Sequence, residues 1–192
     1  MEIDSLSQSE KDLLLQNARE AIESAVRKIK PKPLDIKVVP VRLQQWGASF
    51  VTLTAAGNLR GCIGTLQPYQ PLIDDVREHA AAAALEDYRF PPVQPDELAG
   101  IHIEISRLTV PQPLQYSRPE DLLVSLRPRV DGVILRDGLQ RATFLPQVWE
   151  KIPEPADFLG NLCYKMGAPQ DLWRRKHLDV SVYQVEEFQE DA

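Results

Sequence analysis

Apolar and polar residues alternate along this chain with two different periods, and the two periods predict both helices and strands. Apolar residues recur at helical spacing over residues 9–30, which predicts an amphipathic helix that Pro31 ends. A second helical pattern covers residues 71–85. Shorter helical pieces are predicted at residues 119–126, 146–151, 156–166 and 169–176.

Alternation with a period of two predicts the strands, and turns at Gly57-Asn58 and Asp137-Gly138 pair four of them into hairpins. Ile101, Ile103 and Ile105 alternate with polar residues, which predicts a half-buried strand with one polar face. The predicted strands cover residues 49–54, 59–66, 101–106, 133–135, 141–145 and 180–185. This order of elements predicts an α+β fold with a mainly antiparallel sheet and flanking helices.

Composition places the chain among globular proteins. It has 192 residues, of which 43% are hydrophobic and 26% charged, enough to build a core without disulfides or a structural metal. The net charge of −6 argues against a purely electrostatic nucleic-acid binder. The longest apolar run, residues 80–85, is far shorter than the ~20 residues of a membrane span, so no membrane is expected. Two separate cysteines and an N-terminus without a basic signal region predict a cytoplasmic protein.

The run Leu59-Arg-Gly-Cys-Ile-Gly-Thr65 has the highest density of candidate chemistry. A cysteine beside Arg60 is a candidate nucleophile, because a nearby cation favours the thiolate. The alternative is that Cys62 is a small apolar residue packed on a strand. Gly61 and Gly64 permit close approach of a ligand or of another strand, and their backbone amides are a weak candidate for anion binding.

Three further places carry candidate site residues. Arg89 precedes the rigid Phe90-Pro91-Pro92 corner, and an arginine oriented in this way suits a carboxylate or a phosphate. Glu104 is a candidate acid or base on the polar face of its strand, although an exposed strand face explains it equally well. Thr143 is a candidate pocket residue. The three histidines are scattered and no Cys-x-x-Cys occurs, so neither a metal nor a cofactor is predicted.

Taken in this order, these runs resemble the AMMECR-domain family, and most of all its bacterial and archaeal branch, AmmeMemoRadiSam system protein A. The resemblance covers residues 10–188 and implies a single domain of two-lobed α+β architecture, with a larger and a smaller lobe. The matching runs are Leu59-Arg-Gly-Cys-Ile-Gly-Thr65, Pro68-Tyr-Gln-Pro-Leu-Ile-Asp-Asp-Val-Arg77, Glu86-Asp-Tyr-Arg-Phe-Pro-Pro92, Ile103-Glu-Ile-Ser106, Val130-Asp-Gly-Val133 and Arg141-Ala-Thr-Phe-Leu-Pro-Gln-Val-Trp149.

The resemblance implies no established reaction. The name of this branch reflects that its genes occur together with those of a Memo-like protein and a radical S-adenosylmethionine (SAM) enzyme. Three functions stay open: an enzyme, an accessory subunit of those two proteins, and a binding module for a nucleotide, RNA or peptide. The motif positions name Cys62 and Glu104 as catalytic candidates. The ligand-binding candidates are Arg60, Gly61, Gly64, Thr65, Arg89, Phe90, Ser106 and Thr143.

Overall fold

The chain divides into two compact units, each with its own sheet and its own core. The structure is a computed structural model that describes residues 5–191. Unit 1 contains the described residues up to Leu108 and those from Glu186 onward, and unit 2 is Thr109–Val185.

Helices and strands are interspersed along the chain. In chain order they are α1 (Gln8–Val26), β1 (Trp46–Ala55), β2 (Asn58–Gly64), β3 (Gln70–Pro71), α2 (Leu72–Leu85), β4 (Ile101–Leu108), β5 (Gln112–Pro113), α3 (Pro119–Ser125), β6 (Gly132–Asp137), β7 (Gln140–Phe144), α4 (Pro155–Lys165), α5 (Leu172–Arg175), β8 (Asp179–Tyr183) and β9 (Val185–Gln189). Short 3-10 helices lie at Val41–Gln44, Leu98–Gly100 and Pro146–Glu150.

Unit 1 is a sheet with two helices on one face. The strand order is β2-β1-β4-β9, and the short β3 also pairs with β1. β1 runs antiparallel to β2, β3 and β4. Val51 and Leu53 of β1 are fully buried in the core that α1 and α2 form with the sheet, whereas Thr52 between them is only half-buried. Successive side chains of a strand point to opposite faces, so the even-numbered residues of β1 lie on the far face of the sheet, opposite the helices.

The first helix begins as its sequence predicts and ends earlier. Ser7 and Glu10 form a reciprocal capping box at its N-terminus. The helix ends at Val26 because Lys28 adopts a left-handed backbone conformation with φ of 55°. Ile29, which the helical spacing places on the buried face, is therefore exposed.

Unit 2 packs its helices on a second antiparallel sheet. The strand order is β5-β8-β6-β7. The core centres on Trp149 and Phe158, both fully buried, with ring centroids 3.6 Å apart in a stacked arrangement. The indole Nε1 of Trp149 donates to the carbonyl of Asp131 over 2.7 Å, so the polar atom of this buried ring is satisfied.

The structure confirms the predicted α+β class and the mainly antiparallel pairing. Besides the end of the first helix, two local predictions are wrong. The first hairpin turns at Ala56-Gly57, which both have positive φ, and not at Gly57-Asn58. The predicted last strand is two strands, β8 and β9, and they belong to different sheets.

Among residues 5–191, no helix combines the length and the apolar character that crossing a membrane requires.

Candidate functional site

A row of three polar side chains crosses the far face of the sheet in unit 1. Thr52 on β1 pairs with Cys62 on β2 and with Glu104 on β4, so the three residues are neighbours across three strands. All three are half-buried. The hydroxyl of Thr52 donates to the Sγ atom of Cys62 over 3.3 Å. We call Cys62, Thr52 and Glu104 the polar row.

The backbone of Cys62 is held from the outer side of β2. Its N–H donates to Oδ2 of Asp87 over 2.8 Å, and its carbonyl accepts from Nη2 of Arg89 over 3.2 Å. Since β2 is an edge strand, the Asp87–Arg89 pair occupies the place that a further strand would take. Because these backbone groups point away from β1, Cys62 and Thr52 form a non-hydrogen-bonded pair, in which facing side chains lie close together.

Asp87 and Arg89 form a charged pair at the end of the segment that follows α2. Nε of Arg89 donates to Oδ1 of Asp87 over 2.9 Å, and Nη2 donates to Oδ2 over 2.6 Å. These bonds from Arg89 hold the pKa of the buried Asp87 carboxyl well below its usual range. The Arg89 side chain is 43% exposed and lies 5.6 Å from the ring centroid of Phe90.

Arg60 forms a charged pair with a different carboxylate, that of Glu97. Its Nε and Nη2 atoms donate to the two oxygens of Glu97 over 2.8 and 3.0 Å, and Nη1 donates to the carbonyl of Pro91. These bonds lower the pKa of Glu97. Arg60 and Arg89, the two candidate ligand-binding arginines, therefore each have a carboxylate partner within the chain.

The two glycines of the motif allow β2 to approach its neighbours closely. A Cβ atom on Gly61 would lie 2.1 Å from the carbonyl oxygen of Ala83 in α2. A Cβ atom on Gly64 would lie 2.3 Å from the carbonyl oxygen of Ser49. Both distances are too short for any residue with a side chain, so these glycines serve the packing of β2 against α2 and β1.

Glu104 lies at the other end of the polar row. Two strand spacings separate the backbones of Glu104 and Cys62, which is roughly 10 Å. Burial raises the pKa of the Glu104 carboxyl, and the nearby carboxylate of Glu187 raises it further. Glu104 therefore holds a proton more readily than an ordinary glutamate, and it is too far from Cys62 to take the proton of that thiol directly.

The remaining predicted site residues lie in different places. Ser106 is buried on β4, one step along the far face from Glu104. Thr65 follows β2 and accepts a hydrogen bond from the amide of Gln67 in a local turn. Thr143 lies in unit 2, where its hydroxyl is 3.1 Å from the hydroxyl of Tyr183.

A second polar cluster lies on the helix side of the sheet. Ser49 on β1 donates to Oδ2 of Asp75 over 2.6 Å, and Nδ1 of His79 lies 3.2 Å from the same oxygen. Nε2 of His79 is 3.4 Å from the hydroxyl of Tyr69. Asp75 is fully buried, and its Oδ1 atom has no hydrogen-bond partner among the described residues. This cluster fixes α2 against β1 through a buried carboxylate.

No group of three His, Cys, Asp or Glu side chains within residues 5–191 is arranged to hold a metal ion. The other cysteine, Cys163, is fully buried in unit 2, and burial raises the pKa of its thiol. Cys62 and Cys163 thus have different surroundings within one chain.

Sequence reasoning missed three residues that the site depends on. Thr52 and Glu97 carry no motif, and Asp87 stands in a run of helical charges that is usually solvated surface. Two signals pointed to Asp87: it lies in one of the runs that carry the family resemblance, and it stands two residues before Arg89, a spacing at which a short carboxylate bonds to the backbone of its own turn.

Comparisons with known proteins agree with this architecture. The model of the AMMECR1 family matches residues 15–188. A protein from Methanothermobacter thermautotrophicus is 43% identical over 188 residues, which cover 97% of each chain. A protein from Thermofilum pendens is 37% identical and covers 96% of this chain and 92% of its own.

A solved structure has the same fold. The crystal structure of uncharacterized protein PH0010 from Pyrococcus horikoshii matches with a TM-score of 0.82 and 31% identity. The match covers 97% of this chain and 94% of that one. With the family model spanning nearly the whole sequence, this chain belongs to the AMMECR1 family.

Proposed function

We propose that the chain is a cysteine-dependent enzyme that acts on a small acyl compound at the far face of the unit 1 sheet. The observation that carries the proposal is the polar row, in which a half-buried thiol, a hydroxyl donor and a carboxyl with a raised pKa lie across three neighbouring strands. A perturbed carboxyl near a nucleophilic side chain is a common feature of catalytic sites.

Each member of the row has a role in this reaction. The Thr52 hydroxyl donates to Sγ of Cys62 and orients the nucleophile. Cys62 first loses its thiol proton to water, and the thiolate then attacks the acyl carbon. The bond to the leaving group breaks, Glu104 gives its proton to that group, and a thioester remains on Cys62. Water then attacks the thioester, Glu104 takes a proton from that water, and the thiolate leaves.

Mass spectrometry of the intact protein tests this proposal. The chain is incubated with the small-molecule fraction of a cell extract, and the Cys62 peptide is examined for added mass. We expect a covalent adduct on Cys62 that both forms and disappears more slowly in Glu104→Gln, because that variant can neither protonate the leaving group nor assist the attack of water. Cys62→Ala is the negative control, and Ser106→Ala is the matched control on the same face. The absence of an adduct on Cys62 in both the unchanged chain and Glu104→Gln would overturn the enzyme proposal.

The enzyme is also proposed to work with a Memo-like protein and a radical SAM enzyme. Membership of the AMMECR1 family supports this partnership, because the resemblance to AmmeMemoRadiSam system protein A implies both companions. Co-expression of the three chains with a tag on this one is the test. Co-purification of either companion in stoichiometric amount is the expected result, and recovery of this chain alone would contradict the partnership.

Nucleotide binding without reaction is the second candidate function. The observation that favours it is the exposed Tyr88, which is next to Arg89 with its neighbouring Phe90 ring. An exposed aromatic ring beside a cation is a surface on which a base can stack. Thermal shift with nucleotides separates this candidate from the first. A stabilisation that is lost in Tyr88→Ala and kept in Cys62→Ala supports binding, and no shift with any nucleotide counts against it.

A further inference from the structure

The connection between α1 and β1 concentrates positive charge in a chain that is acidic as a whole. Residues 27–46 contain six basic residues and one acidic residue, within a chain of net charge −6. Lys30, Lys32 and Lys37 are exposed and form no ion pair with another described residue. We call residues 27–46 the basic segment.

Apolar side chains are exposed along the same segment. Val38, Val41 and Trp46 are 72%, 75% and 66% exposed, and Ile29 and Ile36 are exposed as well. Single exposed apolar residues are ordinary on protein surfaces, but five of them within one basic segment form an uncommon combination. Aliphatic and aromatic contacts surrounded by charges are the usual composition of a protein interface, with an apolar centre and a polar rim.

The basic segment is held in place although most of it is neither helix nor strand. Val39 and Leu43 are buried in the core of unit 1, and Leu34 packs against that core. The side-chain amide of Gln44 donates to the carbonyls of Ile36 and Val39, which fixes the turn between them. A surface fixed in this way loses little conformational entropy when it binds a partner.

We propose that the basic segment is a docking site for an acidic, partly apolar surface of a partner protein. Charge complementarity selects the partner, since the free lysines attract carboxylates and the exposed valines and Trp46 require apolar contact. This proposal is independent of the proposed enzyme site, because no residue of the polar row belongs to the basic segment.

Two other kinds of partner fit this segment less well. Residues 30–35 lie outside helices and strands, and their backbone groups would lose water in a bilayer without gaining partners, whereas a protein surface supplies them. Single-stranded nucleic acids are bound by stacking bases on aromatic rings, and Trp46 is the only aromatic residue of the segment. The exposed valines and isoleucines would face phosphates and gain nothing from the contact.

Titration with three probes tests the proposal. The first probe is a 16-residue peptide that alternates Glu or Asp with Leu or Phe. The others are phosphatidylserine-containing vesicles and a 20-base-pair DNA duplex. Trp149 and Trp173 are buried, so a change in tryptophan emission on binding reports the exposed Trp46. The expected result is a blue shift with the peptide and a Kd that weakens at least tenfold in the triple variant Lys30→Glu, Lys32→Glu, Lys37→Glu.

Matched variants separate the effect of the basic segment on binding from the effects of net charge and of general hydrophobicity. Arg129→Glu, Arg136→Glu and Lys151→Glu make the same charge change at exposed positions of unit 2 and are expected to leave the Kd within twofold. Val38→Ser with Val41→Ser is expected to weaken binding at least threefold, whereas Val124→Ser with Leu139→Ser, two exposed positions of unit 2, is not.

Several outcomes would overturn the proposal. Failure of the unchanged chain to bind the acidic peptide rejects it, and so does an equal loss of binding in the two triple charge variants. Binding to the vesicles or to the duplex in preference to the peptide rejects it in favour of a lipid surface or a nucleic acid.

Discussion

At the scale of single residues, Gly61 is the glycine with the least room for an added side chain. A methyl group there would lie 2.1 Å from the Ala83 carbonyl oxygen, and backbone atoms of a helix cannot move aside cheaply. We predict that Gly61→Ala lowers the free energy of unfolding by about 3 kcal/mol. Gly100→Ala is the control, because no atom lies within 4 Å of its added methyl group, and its effect should stay within about 0.5 kcal/mol. Urea unfolding measures both, and equal effects would contradict the close packing of β2 on α2.

Asp87 is a second residue at which a substitution should lower the free energy of unfolding. Its carboxylate is buried and accepts bonds from the Cys62 amide and the Arg89 guanidinium. Asp87→Asn removes the charge that pairs with Arg89, and we predict a loss of about 2–3 kcal/mol in unfolding free energy. Asp171→Asn breaks an exposed pair with Arg175 and should cost less than about 1 kcal/mol. If the two variants unfold alike, the Asp87–Arg89 pair does not hold the edge of β2.

At the scale of elements, Ser49 and Asp75 connect β1 to α2. Ser49→Ala removes a donor from a fully buried carboxylate, which should cost about 1–3 kcal/mol. Hydrogen exchange should then quicken in α2 before it quickens in α1. Ser106→Ala makes the same change on the opposite face of the sheet and should leave the exchange of α2 unchanged. Unaltered exchange of α2 in Ser49→Ala would show that apolar packing alone holds this helix.

The secondary-structure elements could be predicted from the sequence more fully than the candidate site could. Local periodicity predicted α2, β4 and both hairpins, because each depends on residues that are neighbours in the chain. The polar row was not predictable, since a shift of register between Leu53 and Thr54 decides which residue of β2 faces Thr52. The bond from the Cys62 amide to Asp87 joins positions 25 residues apart and depends on how the segment after α2 returns to the sheet edge.

At the scale of the whole molecule, the buried and paired carboxyls predict how stability depends on pH. Hydrogen bonds from Arg89 and Arg60 hold the pKa values of Asp87 and Glu97 below their usual range. A carboxyl whose pKa is lower in the folded state stabilises the fold above its unfolded pKa, and this stability is lost as the pH falls through the folded pKa. We predict that these two carboxyls make stability decline below about pH 4. Asp87→Asn should decline less steeply over the same range, and an identical decline would assign acid sensitivity to other carboxyls.

The most direct test of the account is the alkylation of the two cysteines in the folded protein. Cys62 is half-buried on the far face of its sheet beside Thr52, whereas Cys163 is fully buried in the core of unit 2. With Cys163→Ala as the background, iodoacetamide should modify Cys62 under native conditions, more slowly in Thr52→Val, which lacks the hydroxyl that bonds to the sulfur. With Cys62→Ala as the background, Cys163 should react only when the protein unfolds. A Cys62 thiol that also stays unmodified until unfolding would contradict the proposal that it is a nucleophile, and would make it a packing residue of the sheet.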